Sequence, residues 1–342
     1  MRNLSVAVVF LAAVLLYGCG RDQSGFGIVP AGESIAVDIY SLQDQALQIV
    51  RRGLADESGL VRSHAIEVVS TTGRKDLMPK VKQLSKSDSS AVRFAAALAV
   101  GDMEYSAGGF AVERLLNDRN ENARIAAAYA MTRLKKGNFT TMIREAVKSK
   151  NQTVRANAVL LLGKLRNTRD LKLLYSVLNA PDSADMVRFQ ATESIAMVGD
   201  EKVYERLWAL LISKYADDRF IGIRAMGALA TTDAKNAIIT KLYDEVPEVR
   251  LCAAEQLGRL GDRSGEAEII EYFTKIPNKP EAVSPERADA LAAMAIGRIG
   301  GGSLTKFLPR LLQNPSKLVR LSAAQAVLLL AQKGREAQVN TR

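Results

Sequence analysis

One register recurs along this chain and leaves few folds open to it. Its fullest copy is Val249-Arg250-Leu251-Cys252-Ala253-Ala254-Glu255-Gln256-Leu257, an Arg followed by a small residue three places on and an apolar residue seven places on. The leading position holds Arg62, Arg93, Arg124, Arg155, Arg188, Arg219, Arg250, then Asp289, then Arg320. Three places later stand Ala65, Ala96, Ala127, Ala158, Ala191, Gly222, Ala253, Ala292 and Ala323. Seven places later every copy is apolar, from Val69 and Val100 to Ile296 and Val327. The steps are 31, 31, 31, 33, 31, 31, 39 and 31 residues. Self-similarity at so regular a period marks a chain that stacks one supersecondary unit on the next.

Offsets of three and seven share one face of an α-helix, whereas a strand would need strict alternation. A small side chain there lets a neighbouring helix approach closely. A second apolar pair follows at offsets 19 and 23, as in Leu174 with Leu178, Leu207 with Leu211 and Ile238 with Leu242. Each unit is therefore two antiparallel helices whose shared apolar edge is buried only by the next unit. The expected fold is all-α, an α-solenoid of about nine stacked two-helix units, drawn out as a rod or arc on the order of 80 Å long. This register resembles the HEAT-repeat superfamily, in particular the short bacterial HEAT-like repeats of the bilin lyases. The resemblance covers roughly residues 55–333 and implies an α-solenoid. Composition agrees: 48% of the chain is hydrophobic but only 6% aromatic, and Ala, Leu and Val suit thin helix-on-helix packing.

The ends read differently. Residues 1–18 have the form of an export signal, with Arg2 ahead of the apolar run Leu4 to Leu16, a run too short to span a bilayer. Leu16-Tyr17-Gly18-Cys19 resembles the bacterial lipobox, although Tyr17 departs from the small or branched residue usual there. That resemblance implies diacylation of Cys19 as the mature N-terminus, a bacterial-envelope location and, with Gly20 rather than Asp following, the outer membrane facing the periplasm. Residues 19–38 are rich in Gly and polar residues and read as a flexible tether with a reach of roughly 25 Å. The solenoid is expected over 39–334, opened by a capping helix from Ile39. The last helix, Arg320 to Lys333, should stop at Gly334 and leave 335–342 as a polar tail. The Pro-rich insertion 276–285 reads as a stiff loop.

Asp56, Asp118, Asp182 and Asp244 each stand six residues before the Arg of their unit, and Asp88 five before. These are natural N-cap positions, and the Arg column could bridge to the Asp of an adjacent unit as a structural ladder. The net charge of +10 is local. From Arg133 to Lys172, eleven basic residues face only Glu145 and Asp170, a net of +9. This belt, which includes Lys148, Lys150 and Arg169, would suit an anionic phospholipid, a cell-wall polymer or an acidic protein face; an exported chain makes nucleic acid an unexpected partner. At offset 20, Tyr175 and the single Trp, Trp208, should stand side by side on adjacent units next to Arg144, with Tyr204 one turn before Trp208. Such a cluster would serve as a protein hot spot.

Chemistry is sparse. The single histidine, His64, and Cys252 share one offset six units apart and should not meet. His64 is followed by Ala65, unlike the several His-Glu pairs of the HEAT-repeat hydroxylases. Ser303-Leu304-Thr305-Lys306 matches an S-x-x-K pattern without its companion motifs, and Ser303 reads instead as a helix N-cap after three glycines. Asp217-Asp218 and Glu266, Glu268 and Glu271 have no converging base. Bilin lyases and HEAT-like DNA glycosylases share the architecture, but an export signal argues against both settings. The sequence thus reads as a non-enzymatic, lipid-anchored envelope scaffold that needs neither cofactor nor metal. It would present a long, shallow groove lined by the second helix of each unit to another envelope protein or complex. An alternative is a binder of anionic polymer or phospholipid through residues 133–172.

Overall fold

The computed structural model describes residues 37–275 and 285–340; the proposed signal, Cys19, nearly all of the tether and most of the Pro-rich insertion lie outside them. Among the described residues all regular structure is helical. The nine first helices are α2 (Gly59–Thr71), α4 (Ser90–Asp102), α6 (Glu121–Arg133), α8 (Gln152–Leu165), α10 (Asp185–Val198), α12 (Ala216–Leu229), α14 (Pro247–Arg259), α16 (Pro285–Ile299) and α19 (Lys317–Asn340). Shorter second helices follow: α3 (Met78–Leu84), α5 (Gly109–Glu113), α7 (Thr140–Ala146), α9 (Leu171–Asn179), α11 (Tyr204–Leu211), α13 (Thr232–Ile239), α15 (Glu266–Lys275) and α18 (Leu308–Leu312), the last preceded by α17 (Gly302–Thr305).

The register explains these elements. The Ala/Gly column and the apolar column are buried along the stack, as at Ala96, Val100, Ala158 and Leu162. Eight places after the Arg, several units carry Gly, and there the next helix comes close. A Cβ on Gly163 would lie 2.8 Å from the Cα of Ser194, and one on Gly297 would lie 2.6 Å from the Cα of Ala326. First helices consequently pack on one another along their lengths, while second helices barely touch.

The array does not run out as a rod or an open arc. It closes on itself. The capping helix α1 (Ile39–Gly53) packs along α19, and α19 also packs on α2. Lys317 reaches Asp56 at 2.7 Å, and His64 Nε2 lies 3.4 Å from Ser322 Oγ. Gly53 is buried against Ala65 on one side and Leu321 on the other. Among the described residues no second helix follows α19, and α1 takes that place, so the first described helix completes the ninth unit. A row of units whose first helices approach more closely than their second helices curves toward the first helices; nine such steps bring the ends together. First helices therefore form the inner wall and second helices the outer one. The expected groove lined by second helices is instead a convex exterior.

Bonds that skip a unit fix the inner side. Lys164 on α8 pairs with Asp102 on α4 at 3.1 Å, and Arg287 on α16 with Asp217 on α12 at 3.4 Å. Only a concave surface brings alternate units within such reach. Adjacent units add Asn157 to Asn122 (2.8 Å), Arg224 to Glu193 (3.1 Å) and Arg298 to Glu255 (3.8 Å). The inner wall is thus cross-tied.

The two rims differ. At the rim where each first helix ends, the chain turns through a left-handed residue eleven places after the Arg: Gly73, Glu104, Lys135, Arg166, Gly199, Ala230, Gly261 and Gly300. Four of these are not glycine, each strained by about 1–2 kcal/mol. At the opposite rim the N-caps are Ser58, Ser89, Asn120 and Asn151, not the aspartates expected there. Asp56, Asp118 and Asp244 sit two residues earlier, where each accepts the N–H two places on and closes a turn. Gly334 does not stop α19, which runs on to Asn340; instead Gly334 gives room to the Tyr40 hydroxyl.

Candidate interaction surfaces

The Arg column is structural. Every Arg of the column except Arg155 reaches back to carbonyls of the turn that enters its own helix, as Arg62 does to Asp56 and Glu57, and Arg320 to Asn314 and Pro315. Several reach forward as well, making the expected ladder. Arg93 grips Asp118 through two bonds of 2.8 Å, Arg155 pairs with Asp182 and Arg219 with Asp244. Arg250 finds Glu268 instead, and Arg124 and Arg188 bond only within their own units among the described residues. At the one copy without Arg the polarity reverses: Asp289 accepts from Tyr272 and from Asn314, which stands where the next unit would carry Asp.

Outer helices carry a second set of rungs, and two of the expected partner-binding residues belong to it. Arg144 holds the buried Asp170 at the head of the next outer helix (2.6 Å), and Tyr175 donates to Asp200 one unit further on (3.1 Å). Burial and then the Asp200 carboxylate raise the Tyr175 phenol above its ordinary value. Tyr204 is half-buried against the core. Tyr175 and Trp208 lie on the outer helices α9 and α11 of adjacent units, as expected, and among the described residues no ring contact joins them.

Trp208 belongs to a different surface. It is 39% exposed on α11; one turn later Ile212 is 62% exposed, and Tyr215, in the turn into α12, is 58% exposed. Tyr243, at the end of the 3₁₀ turn that follows α13, is 87% exposed. Ile212 and Tyr243 share one offset, 24, and so occupy equivalent positions in successive units. Exposed large apolar residues are unremarkable singly, but four on two adjacent units form a patch. Sequence reasoning found only Trp208 because the offset-24 position carries no common residue type from unit to unit.

The basic belt is divided by the fold. Arg133 pairs with Glu104, Lys164 with Asp102 and Arg155 with Asp182, all acids outside the segment, while Lys148 pairs with Glu145. Lys148 and Lys150 lie at the rim where first helices begin; Lys135, Lys136, Arg166, Arg169 and Lys172 lie at the rim where they end. It is two surfaces, not one.

A model of the HEAT-repeat family matches residues 45–132, 110–196 and 140–222, together more than half of the 342-residue chain. The chain belongs to the HEAT-repeat proteins. Its structure is similar to the CpcE and CpcF complex of phycocyanin lyase from Nostoc sp. PCC7120, with 15% identity and TM-score 0.45 over 81% of this chain and all of that one. It is also similar to human deoxyhypusine hydroxylase, with 14% identity and TM-score 0.37 over 86% of this chain and 98% of that one. No curated protein sequence matches the chain.

The reactive side chains of this HEAT ring are engaged in structure. Cys252 is buried, its thiol pushed up by burial, and its Sγ faces the Phe220 carbonyl at 3.9 Å. His64 is held in the seam between Ser322 and Glu67. Ser303 is not an N-cap: Gly301 holds that position, and the Ser303 hydroxyl donates to Glu266. Among the described residues no group of three or more His, Cys, Asp or Glu is placed to hold a metal ion, and no helix is long and apolar enough to cross a membrane.

Proposed function

We propose that this HEAT-repeat ring is a non-catalytic scaffold of the bacterial envelope, anchored through Cys19, that binds another envelope protein on its outer wall at Trp208, Ile212, Tyr215 and Tyr243. The observation that carries the reading is the patch itself. Large apolar side chains left uncovered on adjacent units of a rigid wall are what a protein partner desolvates on binding. The interior is self-tied and the outer rungs Arg144 and Tyr175 are already bonded, which leaves this patch as the best-suited surface. The anchored setting rests on the export signal and the Cys19 resemblance.

The test is a photo-crosslinkable residue at Tyr243 in the native envelope, followed by affinity measurement with the protein captured. Trp208→Ala and Ile212→Ser should each weaken that affinity by about 2 kcal/mol, roughly thirtyfold, with helix content unchanged. A partner whose affinity ignores both substitutions, or purified protein that turns over a small molecule unaided, would refute the reading.

A further inference from the structure

We infer that the rim where the first helices end is the face this ring turns toward an anionic lipid bilayer. The inference rests on the anchored setting above and assigns the orientation that setting leaves open.

Charge is the first ground. Lys135, Lys136, Arg166, Arg169 and Lys172 are exposed at this rim on two adjacent units, and among the described residues none has an ion-pair partner. At the opposite rim the Arg column is largely neutralised by its ladder aspartates. Helix electrostatics account for only part of the cluster. Lys135 and Arg166 follow the C-terminal ends of α6 and α8, where cations are favoured, but Lys172 sits in the opening turn of α9 and Arg169 in the 3₁₀ turn just before it, where the helix dipole disfavours them. Lys135 and Arg166 also occupy the left-handed position that four other units give to glycine. A long basic side chain is kept at the apex of two successive turns despite backbone strain.

The path of the chain is the second ground. The Tyr40 hydroxyl lies beside Gly334, and Arg335 Nη1 lies 3.5 Å from Gln43 Oε1, so α1 begins level with the far end of α19. Lys333 Nζ donates to the Arg298 carbonyl near the end of α16, which sets this level at the same rim. The described chain therefore starts, at residue 37, at the basic rim, three and four units round from Lys135 and Arg166. The described start of the chain, which leads back toward Cys19, and the unpaired charge share one rim. The Tyr215 end of the apolar patch lies at the other, directed away from the bilayer. A nucleic acid would satisfy the charge alone but not the point of entry.

The experiment uses the chain from residue 19 onward, which retains every described residue, with Cys19→Ser so that no acyl chain contributes. It is sedimented with vesicles of phosphatidylcholine alone, or with phosphatidylglycerol as roughly a third of the lipid. Binding should require phosphatidylglycerol and weaken as salt rises. Each surface-proximal cation multiplies partitioning roughly fivefold. Lys135→Glu, Arg166→Glu, Arg169→Glu and Lys172→Glu together should therefore lower it on the order of a hundredfold or more. Lys148→Glu with Lys150→Glu, at the opposite rim, should change it less than about threefold. Equal losses from the two sets, an unaffected quadruple variant, or binding to duplex DNA without vesicle binding would overturn the inference. Acylation is scored separately by labelled palmitate in cells. An unlabelled Cys19 with intact vesicle binding sinks the anchor and not the rim; a labelled Cys19 with charge-insensitive binding sinks the rim and not the anchor.

Discussion

Closure of the ring makes a demand on two residues that an open array would never bring together. Gly53 and Leu321 lie 268 positions apart, yet a Cβ on Gly53 would sit 3.0 Å from Leu321 Cδ2 and 2.9 Å from Ala65 Cβ, inside the 3.4–4 Å of ordinary contact. Gly53→Ala should therefore cost about 1–3 kcal/mol through overpacking, offset by about 1 kcal/mol of helix propensity. Leu321, 1% exposed, should cost about 2–5 kcal/mol on truncation to Ala. Truncation also removes the δ carbons that the new methyl would strike. The double variant should thus be less destabilised than the sum of the singles by about 1 kcal/mol, held below full rescue by the remaining contact with Ala65. Urea unfolding followed by Trp208 fluorescence and by far-UV circular dichroism measures all four corners of the cycle. Additivity within about 0.5 kcal/mol would mean that the ends do not touch, and closure would fall with it.

Two further outcomes follow from the rims. The Asp118 carboxyl feels burial, which raises it, but Arg93 and the Asn120 N–H outweigh that and hold it below its ordinary 3.8. Its contribution is therefore present above pH 3.8 and lost as pH falls through the lower folded value. Asp118→Asn should cost about 2–4 kcal/mol near neutrality, with the gap to the parent closing below about pH 4 in pH-dependent urea titrations. Asp88→Asn should stay near zero, because that carboxylate is 93% exposed. Ala230→Gly, at φ 59, should stabilise the ring by about 1 kcal/mol, read as a higher urea midpoint; a lower midpoint would show that the left-handed turn is not strained.

What could be read from the sequence was whatever the stack demands of every unit alike. Arg93, Ala96 and Val100 recur because each copy must meet its neighbours in the same way, so unit count, helix pairing and the structural Arg column were all legible. Closure was not, because it happens once. Gly53 with Leu321 and His64 with Ser322 are single pairings that no period announces. The left-handed turn was hidden for a different reason: glycine, Glu104, Lys135, Arg166 and Ala230 all adopt it, so backbone conformation recurs where residue type does not. Arg144 and Tyr175 misled because side chains on the flank of an outer helix look free until the next unit's Asp170 and Asp200 are in place. The belt of Lys and Arg misled because 31-residue units send residues close in sequence to opposite rims.

The seating of α1 on α19 also fixes an order of events. Among the described helices α1 is made first, and it has its permanent neighbour only once residues 317–340 have arrived. Until then the nascent chain is an incomplete curve with two sticky apolar edges, at one end the unpartnered face of α1 and at the other whichever helix was made last. A truncation that spares every other unit but removes the C-terminal helix should therefore release the N-terminal one too, and be cleared by proteases from both ends at once.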